Sequence, residues 1–421
     1  MFGFKKYEMK EKTKAPNLLA ARPSTKKDFS AQVFGVRKNI FFLGLVSFFN
    51  DFSSEMVQSV MPVFLTVTLG APVFFVGLIE GVADALSSVF KLISGWISDK
   101  IGKRKKPAVF GYSLSVFTRL FLIVTTNFWQ VFTLRIIDRV GKGIRNSPRD
   151  ALIAESSPKE ELGKSFNFHR MMDTLGATLG PLLAFLIIYN IKDGYRILFL
   201  VAFFLGLFAI GSFVFVKDTP QNKFQDQPKK SPKLDWNIFK ENKKFIFVVS
   251  SLFIFGLSAL PIGLILLRAK EVASIGSVPL MYFIYSLTFV IVAMPIGRLA
   301  DMVGEKIIIA LGFVLAFISY IGFALTSNIL AIALFFVALG IYSACTDGIQ
   351  RMLAAKSLHK ELLATGQGFL NMALGFSSLG AGVIGGLLWT FINSQVAFFY
   401  AAIMSIIGLV LFIIISKINT K

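Results

Sequence analysis

Twelve apolar stretches, each close to the length a helix needs to cross a bilayer, run through this chain: residues 41–68, 73–97, 107–125, 128–144, 165–188 and 197–216, then 245–267, 278–299, 307–326, 329–349, 366–392 and 396–415. A spanning helix takes about 20 mostly apolar residues. Inside a bilayer no water is present to satisfy the backbone, so stretches of this kind predict an all-α protein. Composition agrees. Of 421 residues, 55% are apolar and 16% charged, against about 45–50% and about 25% in soluble domains. That balance excludes a water-soluble enzyme and a disordered chain. A single cysteine, Cys345, excludes an intramolecular disulfide, and two histidines, His169 and His359, leave no basis for a multi-histidine metal cage. No metal or cofactor is expected, and no G-x-S-x-G, H-E-x-x-H or phosphate-binding loop occurs.

The net charge of +20 would suggest nucleic acid in a soluble protein. Here its distribution explains it. The connections after the first, third, ninth and eleventh stretches carry no Lys or Arg, and those after the fifth and seventh carry only Lys192, Arg196, Arg268 and Lys270. The opposite side holds a basic tail, Lys100–Lys106, Lys159, Lys164, Lys306, Lys356 and Lys360. Lysine and arginine concentrate in cytoplasmic loops, so the basic side is expected to face the cytoplasm, with both termini inside an inner membrane. Residues 1–38 contain no apolar core of a signal peptide and read as a flexible cytoplasmic tail. The polar segment 217–244, with Pro220, Pro228 and Pro232, reads as a cytoplasmic linker. The expected organisation is therefore a tail (1–38), a six-helix bundle (39–216), the linker (217–244), a second bundle (245–416) and a short tail (417–421).

The two halves also echo each other. Gly95, Asp99 and Gly102 follow the second stretch; Gly297, Asp301 and Gly304 follow the eighth, each 202 positions later. Ala154-Glu-Ser…Glu160 is matched by Ala355-Lys-Ser…Glu361, 201 positions later. A repeat of half the chain, each copy with six spans, is the mark of a duplicated transporter.

These motifs resemble the major facilitator superfamily. Its Gly-x-x-x-Asp-(Arg/Lys)-x-Gly-(Arg/Lys)-(Arg/Lys) loop is represented by Gly95, Asp99, Lys100, Gly102, Lys103 and Arg104, with a weaker copy at Gly297, Asp301 and Gly304. The resemblance implies twelve transmembrane helices in two pseudo-symmetric six-helix bundles, and a loop that stabilises the outward-open state by gripping facing helix ends. Asp99 can then pair with a basic residue at the end of the fourth span, for which Arg145 is the candidate. In that span Arg135, Gly141 and Gly143 fit the family pattern, whereas Asp138 and Arg139 depart from it. Gly176, Gly180 and Pro181 in the fifth span partly match an element associated with antiporters; a small-residue packing face is the alternative. Arg145 to Asp150 is expected to form a gate or salt-bridge network at the end of the fourth span, where Pro148 ends or kinks the helix.

Ionisable groups within a bilayer cost about 2.5–3.5 kcal/mol each on insertion scales and mark partners or function. Asp51 and Glu55 sit one turn apart on one face of the first span, about 15 and 21 Å from its start at the ~1.5 Å rise of a helix. No basic residue lies near them on that span, and two carboxylates close in low dielectric do not both ionise easily. They lead the candidates for proton coupling or substrate binding, followed by Asp138, Arg139, His169, Arg170 and Asp173. Glu80, Asp84 and Lys91 lie in the second span, and Asp347 and Arg351 in the tenth. Internal salt bridges, Asp138–Arg139 and Asp173–Arg170, are the structural alternative. The expected activity is alternating-access secondary transport, as a monomer, of a small molecule in exchange for protons, with the lipid bilayer as its other partner and no nucleic acid. The alternatives are proton-coupled import of an organic anion, with Arg139 or Arg170 as counter-charge, and a non-transporting membrane receptor.

Overall fold

The structure, a computed structural model, describes residues 32–33, 36–101, 103–158, 161–218, 243–358 and 363–418. Its helices are α1 (Lys38–Val63, extended by a π-helical turn over Phe64–Thr68), α2 (Val73–Ile101), α3 (Lys105–Leu122), α4 (Phe128–Glu155), α5 (Leu162–Asn190), α6 (Tyr195–Ser212), α7 (Lys243–Gly256), α8 (Ile262–Val272), α9 (Val278–Val303), α10 (Glu305–Leu325), α11 (Ile329–Lys356), α12 (Leu363–Phe391) and α13 (Ser394–Ile418). Before α1, Gln32–Val33 and Val36–Arg37 form a two-residue antiparallel hairpin. Arg37 then binds Glu161 at 3.2 Å.

Among the described residues, nine helices are long and apolar enough to cross a membrane. Helices α3 and α4 fall outside that set; Arg119 interrupts the first and a run of charges the second. The seventh span differs from expectation in being broken. Helix α7 stops at Gly256 and α8 restarts after Pro261, which occupies the N-cap position and cannot donate a backbone hydrogen bond. Counted as one span, α7 and α8 give a total consistent with twelve. Of the two alternatives for Pro148, ending the helix does not hold: α4 runs through it to Glu155.

Helices α1 to α6 pack on one another, with α1 against α5 and α6, and α4 against α2 and α3; α10 packs on α11 and α13, and α9 on α11. The halves meet where α2 lies along α12, α5 along α9, and α1 against α8. Many large apolar side chains, including Phe110, Phe208, Phe391 and Leu334, are exposed. Exposed apolar side chains in such number suit hydrocarbon rather than water.

The approach of α2 to α12 is closest near the charge-poor loops. A Cβ on Gly77 would meet the carbonyl of Gly382, one on Gly81 would lie 2.7 Å from Leu379 Cα, and one on Gly386 would lie 3.0 Å from Phe74 Cα. The Phe74 N–H donates to Thr390 Oγ1 at 2.9 Å, and Tyr189 lies against Gly276. Backbone contact of this kind is what small residues permit.

Candidate functional site

Helix α4 is rich in charged residues and lies against α2 and α3. Its glycines permit this: a Cβ on Gly141 would lie 2.7 Å from the Gly111 carbonyl of α3, and one on Gly143 would lie 2.6 Å from Phe90 Cβ of α2. Three arginines of α4 and one of α3 point into the first half, and each is held by amides, hydroxyls or carboxylates of α1 and its neighbours.

The network has two clusters. In the first, Arg145 (3% exposed) donates to Asn50 Oδ1 at 2.9 Å, lies 3.8 Å from Asp51 Oδ1, and stacks its guanidinium over the Tyr112 ring at 4.5 Å. Arg119 (2% exposed) donates to the same Asn50 oxygen at 3.1 Å and to Ser53 Oγ at 2.5 Å. Asn50 in turn donates to Asp51, and Asp51 faces Asp173 of α5. In the second cluster, Arg135 and Arg139 both donate to Gln58 Oε1, Arg139 at 3.2 Å. Gln58 Nε2 donates to Glu80 Oε1 at 2.6 Å, and Glu80 Oε2 accepts the backbone N–H of Gly263 at 2.9 Å. Asp138 lies 3.6 Å from Arg135 and 3.9 Å from Arg139.

Asp51 and Glu55 therefore have different partners. Asp51 has a basic neighbour in Arg145, which α1 alone did not show. Glu55 turns to the other half, where Tyr282 of α9 donates to its Oε2 at 2.6 Å; the Tyr282 ring stacks on Tyr285, which bonds Ser343 of α11. His169 is buried and shares a 2.7 Å hydrogen bond with Ser47. Arg170, which is exposed, binds Asp173 at 3.3 Å and reaches Asp347 of α11 at 3.5 Å, where Arg351 also binds at 3.2 Å.

Arg145 is engaged inside the first half by Asn50, Asp51 and Tyr112. The side chain of its expected partner Asp99 lies outside the described residues, as does Gly102. Arg104 is buried and binds Ser98 Oγ at 2.9 Å and Glu155 Oε1 at 3.1 Å, joining the loop to the end of α4. In the second half Lys356 binds Glu305 at 3.0 Å. Gly95 is in ordinary contact with Ser147, Gly297 meets nothing within 4 Å, and Asp301 is exposed. Gly304 turns the chain from α9 to α10 at φ 97°, a conformation that favours glycine. Arg149 pairs with its neighbour Asp150 at 2.8 Å. The glycines of the fifth span pack on α1: a Cβ on Gly176 would meet the Phe48 carbonyl, and one on Gly180 would lie 2.7 Å from Met56 N and Phe52 O.

Sequence reasoning missed Arg119 altogether and gave Glu80 and Gln58 no leading role. Arg119 was open to detection as a lone guanidinium in an apolar span, which calls for a partner. That Glu80 meets the other half depends on the break before α8.

A helical membrane protein with a duplicated architecture and a buried ionisable network in one half that reaches the other through Glu55, Glu80 and Arg170 belongs to the class of polytopic transporters. The family model of the Major Facilitator Superfamily matches residues 43–274 and 259–420, and the chain belongs to that superfamily. It is 33% identical over 390 residues to an MFS-type transporter of Methanocaldococcus jannaschii, covering 90% of this chain and 95% of that one. It is 25% identical over 325 residues to the multi-drug resistance efflux pump PmrA of Streptococcus pneumoniae, covering 73% of this chain and 78% of that one. A solved structure of a peptide transporter POT superposes with a TM-score of 0.77 at 14% identity, covering 93% of this chain and 96% of that one. The chain is thus a transporter of the major facilitator fold, a family of carriers and not of enzymes.

Proposed function

We propose that this protein is a proton-coupled exporter of a small molecule, working as a monomer by alternating access between its two six-helix halves. The observation that carries the reading is that two carboxylates of the first half, Glu55 and Glu80, are each held by a group of the second, Tyr282 Oη and the Gly263 N–H. A movement of one half against the other changes the surroundings of both acids, which is what coupling a proton to transport requires. The likeness to an efflux pump supports export. The basic end faces the cytoplasm of an inner membrane, with both termini there and residues 217–244 linking the halves. The close approach of α2 to α12 at the charge-poor end supports assignment to an inward-facing state.

Import of an organic anion is less well supported. Its counter-charges are already engaged, Arg139 by Asp138 and Gln58, and Arg170 by Asp173 and Asp347.

The test begins with a thermal-shift screen of candidate compounds on purified protein, since a bound ligand raises stability by RT ln(1 + [L]/Kd). Hits are then assayed in proteoliposomes containing a pH-sensitive dye. Export predicts uptake into inside-acidic vesicles by the inverted population, accompanied by proton efflux. Substrate flux with no proton movement would overturn the coupling. Asp51→Asn and Glu55→Gln are then expected to abolish gradient-driven flux while leaving substrate exchange; if both keep proton-driven transport, Asp138 and Asp173 become the candidates.

A further inference from the structure

Glu80 occupies an unusual position for an acid buried in a membrane protein. It is 8% exposed, and its two oxygens face in different structural directions. Oε1 accepts from Gln58, a residue of its own half; Oε2 accepts from the backbone of Gly263, in the other half. Gly263 is the second residue of α8, immediately beyond the break at 257–261. The first turn of a helix has N–H groups without helical acceptors and carries positive partial charge. A carboxylate is the acceptor such a terminus binds best, and a protonated carboxyl is a weaker one. Gly263 leaves the room for it, because a Cβ there would lie 2.5 Å from Glu80 Oε1.

We propose that Glu80 is a proton-operated latch between the two halves, and hence a coupling residue in its own right. This rests on the reading of proton-coupled alternating access given above. The latch lies on the seam that also contains the Gly77–Gly382 and Phe74–Thr390 contacts. Opening the charge-poor end separates α2 from α8 and takes the N-terminus of α8 from the carboxylate, while Gln58 moves with Glu80. An ionised Glu80 loses a charge-assisted bond in that step; a protonated one loses less. The closed arrangement therefore holds fewer protons at this site than the open one, and proton uptake favours opening.

The ionisable groups around Glu80 come from several elements. Helix α4 presents Arg135 and Arg139, both linked through Gln58. Helix α1 presents Glu55, α9 presents Tyr282, and α2 itself presents Asp84, which accepts from Ser378 of α12 at 3.1 Å. Helix α8 presents backbone at this point, and α12 (Leu363–Phe391) contains no ionisable side chain. The Gly263 N–H and the two arginines favour the ionised form of Glu80 against the cost of its burial, so the latch is engaged while the carboxylate keeps its charge.

The experiment measures the distance between spin labels on the full-length chain in nanodiscs, without substrate. Labels are placed at Pro72→Cys and Gln395→Cys, both exposed at the charge-poor end, with the buried Cys345 replaced by Ser. Wild type is expected to show a short distance at mildly alkaline pH and a growing long-distance population at acidic pH. Glu80→Gln is expected to show the long-distance population at both. Gly263→Ala, which leaves the acid in place but fills the space it needs, is expected to lose the pH response as well. A pH-invariant distance in wild type, or a wild-type pH response in either variant, overturns the latch. If Glu80→Gln does not fold, Gly263→Ala decides. Because no substrate enters, a negative result is separable from failure of the export reading, which is judged by flux in proteoliposomes.

Discussion

Tyr282 of α9 donates its hydroxyl to Glu55 of α1 at 2.6 Å, tying the two halves together at a point where each side chain belongs to a different one. A typical intramolecular hydrogen bond contributes about 0.5–1.5 kcal/mol net, and one to a charged group about 1.5–3 kcal/mol. Tyr282→Phe removes the bond and keeps the ring that stacks on Tyr285. The variant is expected to populate the state open at the charge-poor end at least several-fold more than wild type, read as the long-distance fraction between spin labels at Pro72→Cys and Gln395→Cys in a Cys345→Ser background. An unchanged distance distribution would show that the bond forms equally well in both states.

Asp99 and Asp301 occupy equivalent positions in the repeat. If the first loop anchors closure of the basic end, Asp99→Asn will sharply reduce transport with expression intact, and Asp301→Asn will reduce it less. Wild-type transport by Asp99→Asn would rule out this role for the loop.

The ion pairs Arg104–Glu155 and Glu305–Lys356 join corresponding helix ends with the signs reversed. Their surroundings differ: Arg104 is buried, whereas Lys356 is 57% exposed. Removing one partner of a buried pair costs about 3–5 kcal/mol, against about 0–1 kcal/mol for an exposed pair. Glu155 is itself partly exposed, so Glu155→Gln should fall between these limits and lower the melting temperature more than Glu305→Gln. Equal shifts would mean that burial of Arg104 is not what matters.

Gly176 and Gly180 bring α5 onto the backbone of α1. A methyl group at Gly180 has backbone, not a flexible side chain, in its way. Overpacking typically costs about 1–3 kcal/mol, so Gly180→Ala should lower thermal stability in detergent. Gly163→Ala, where a Cβ meets nothing within 4 Å, serves as the control and should be neutral or slightly stabilising.

Length and apolarity determined the helical, bilayer-spanning character of the chain, and the repeat of Gly95, Asp99 and Gly102 at Gly297, Asp301 and Gly304 determined that it is built twice. These are properties of local composition and spacing, and they do not depend on which helix touches which. The local pairs were legible for the same reason: Arg170–Asp173 and Asp138–Arg139 are three residues apart or adjacent, within reach on one helix. Partners distant in sequence were not legible. Arg145 resembled a mate for Asp99 by position, but nothing in the sequence showed that tertiary packing brings Asn50 and Asp51 of α1 to it. The seventh span read as continuous because hydropathy does not register where a backbone breaks. That break turns the start of α8 towards Glu80. Only the assembled fold could decide that a carboxylate of the first half would be bound by a helix terminus of the second, because a hydrogen bond needs its donor within about 3 Å, and Gly263 stands 183 residues away along the chain.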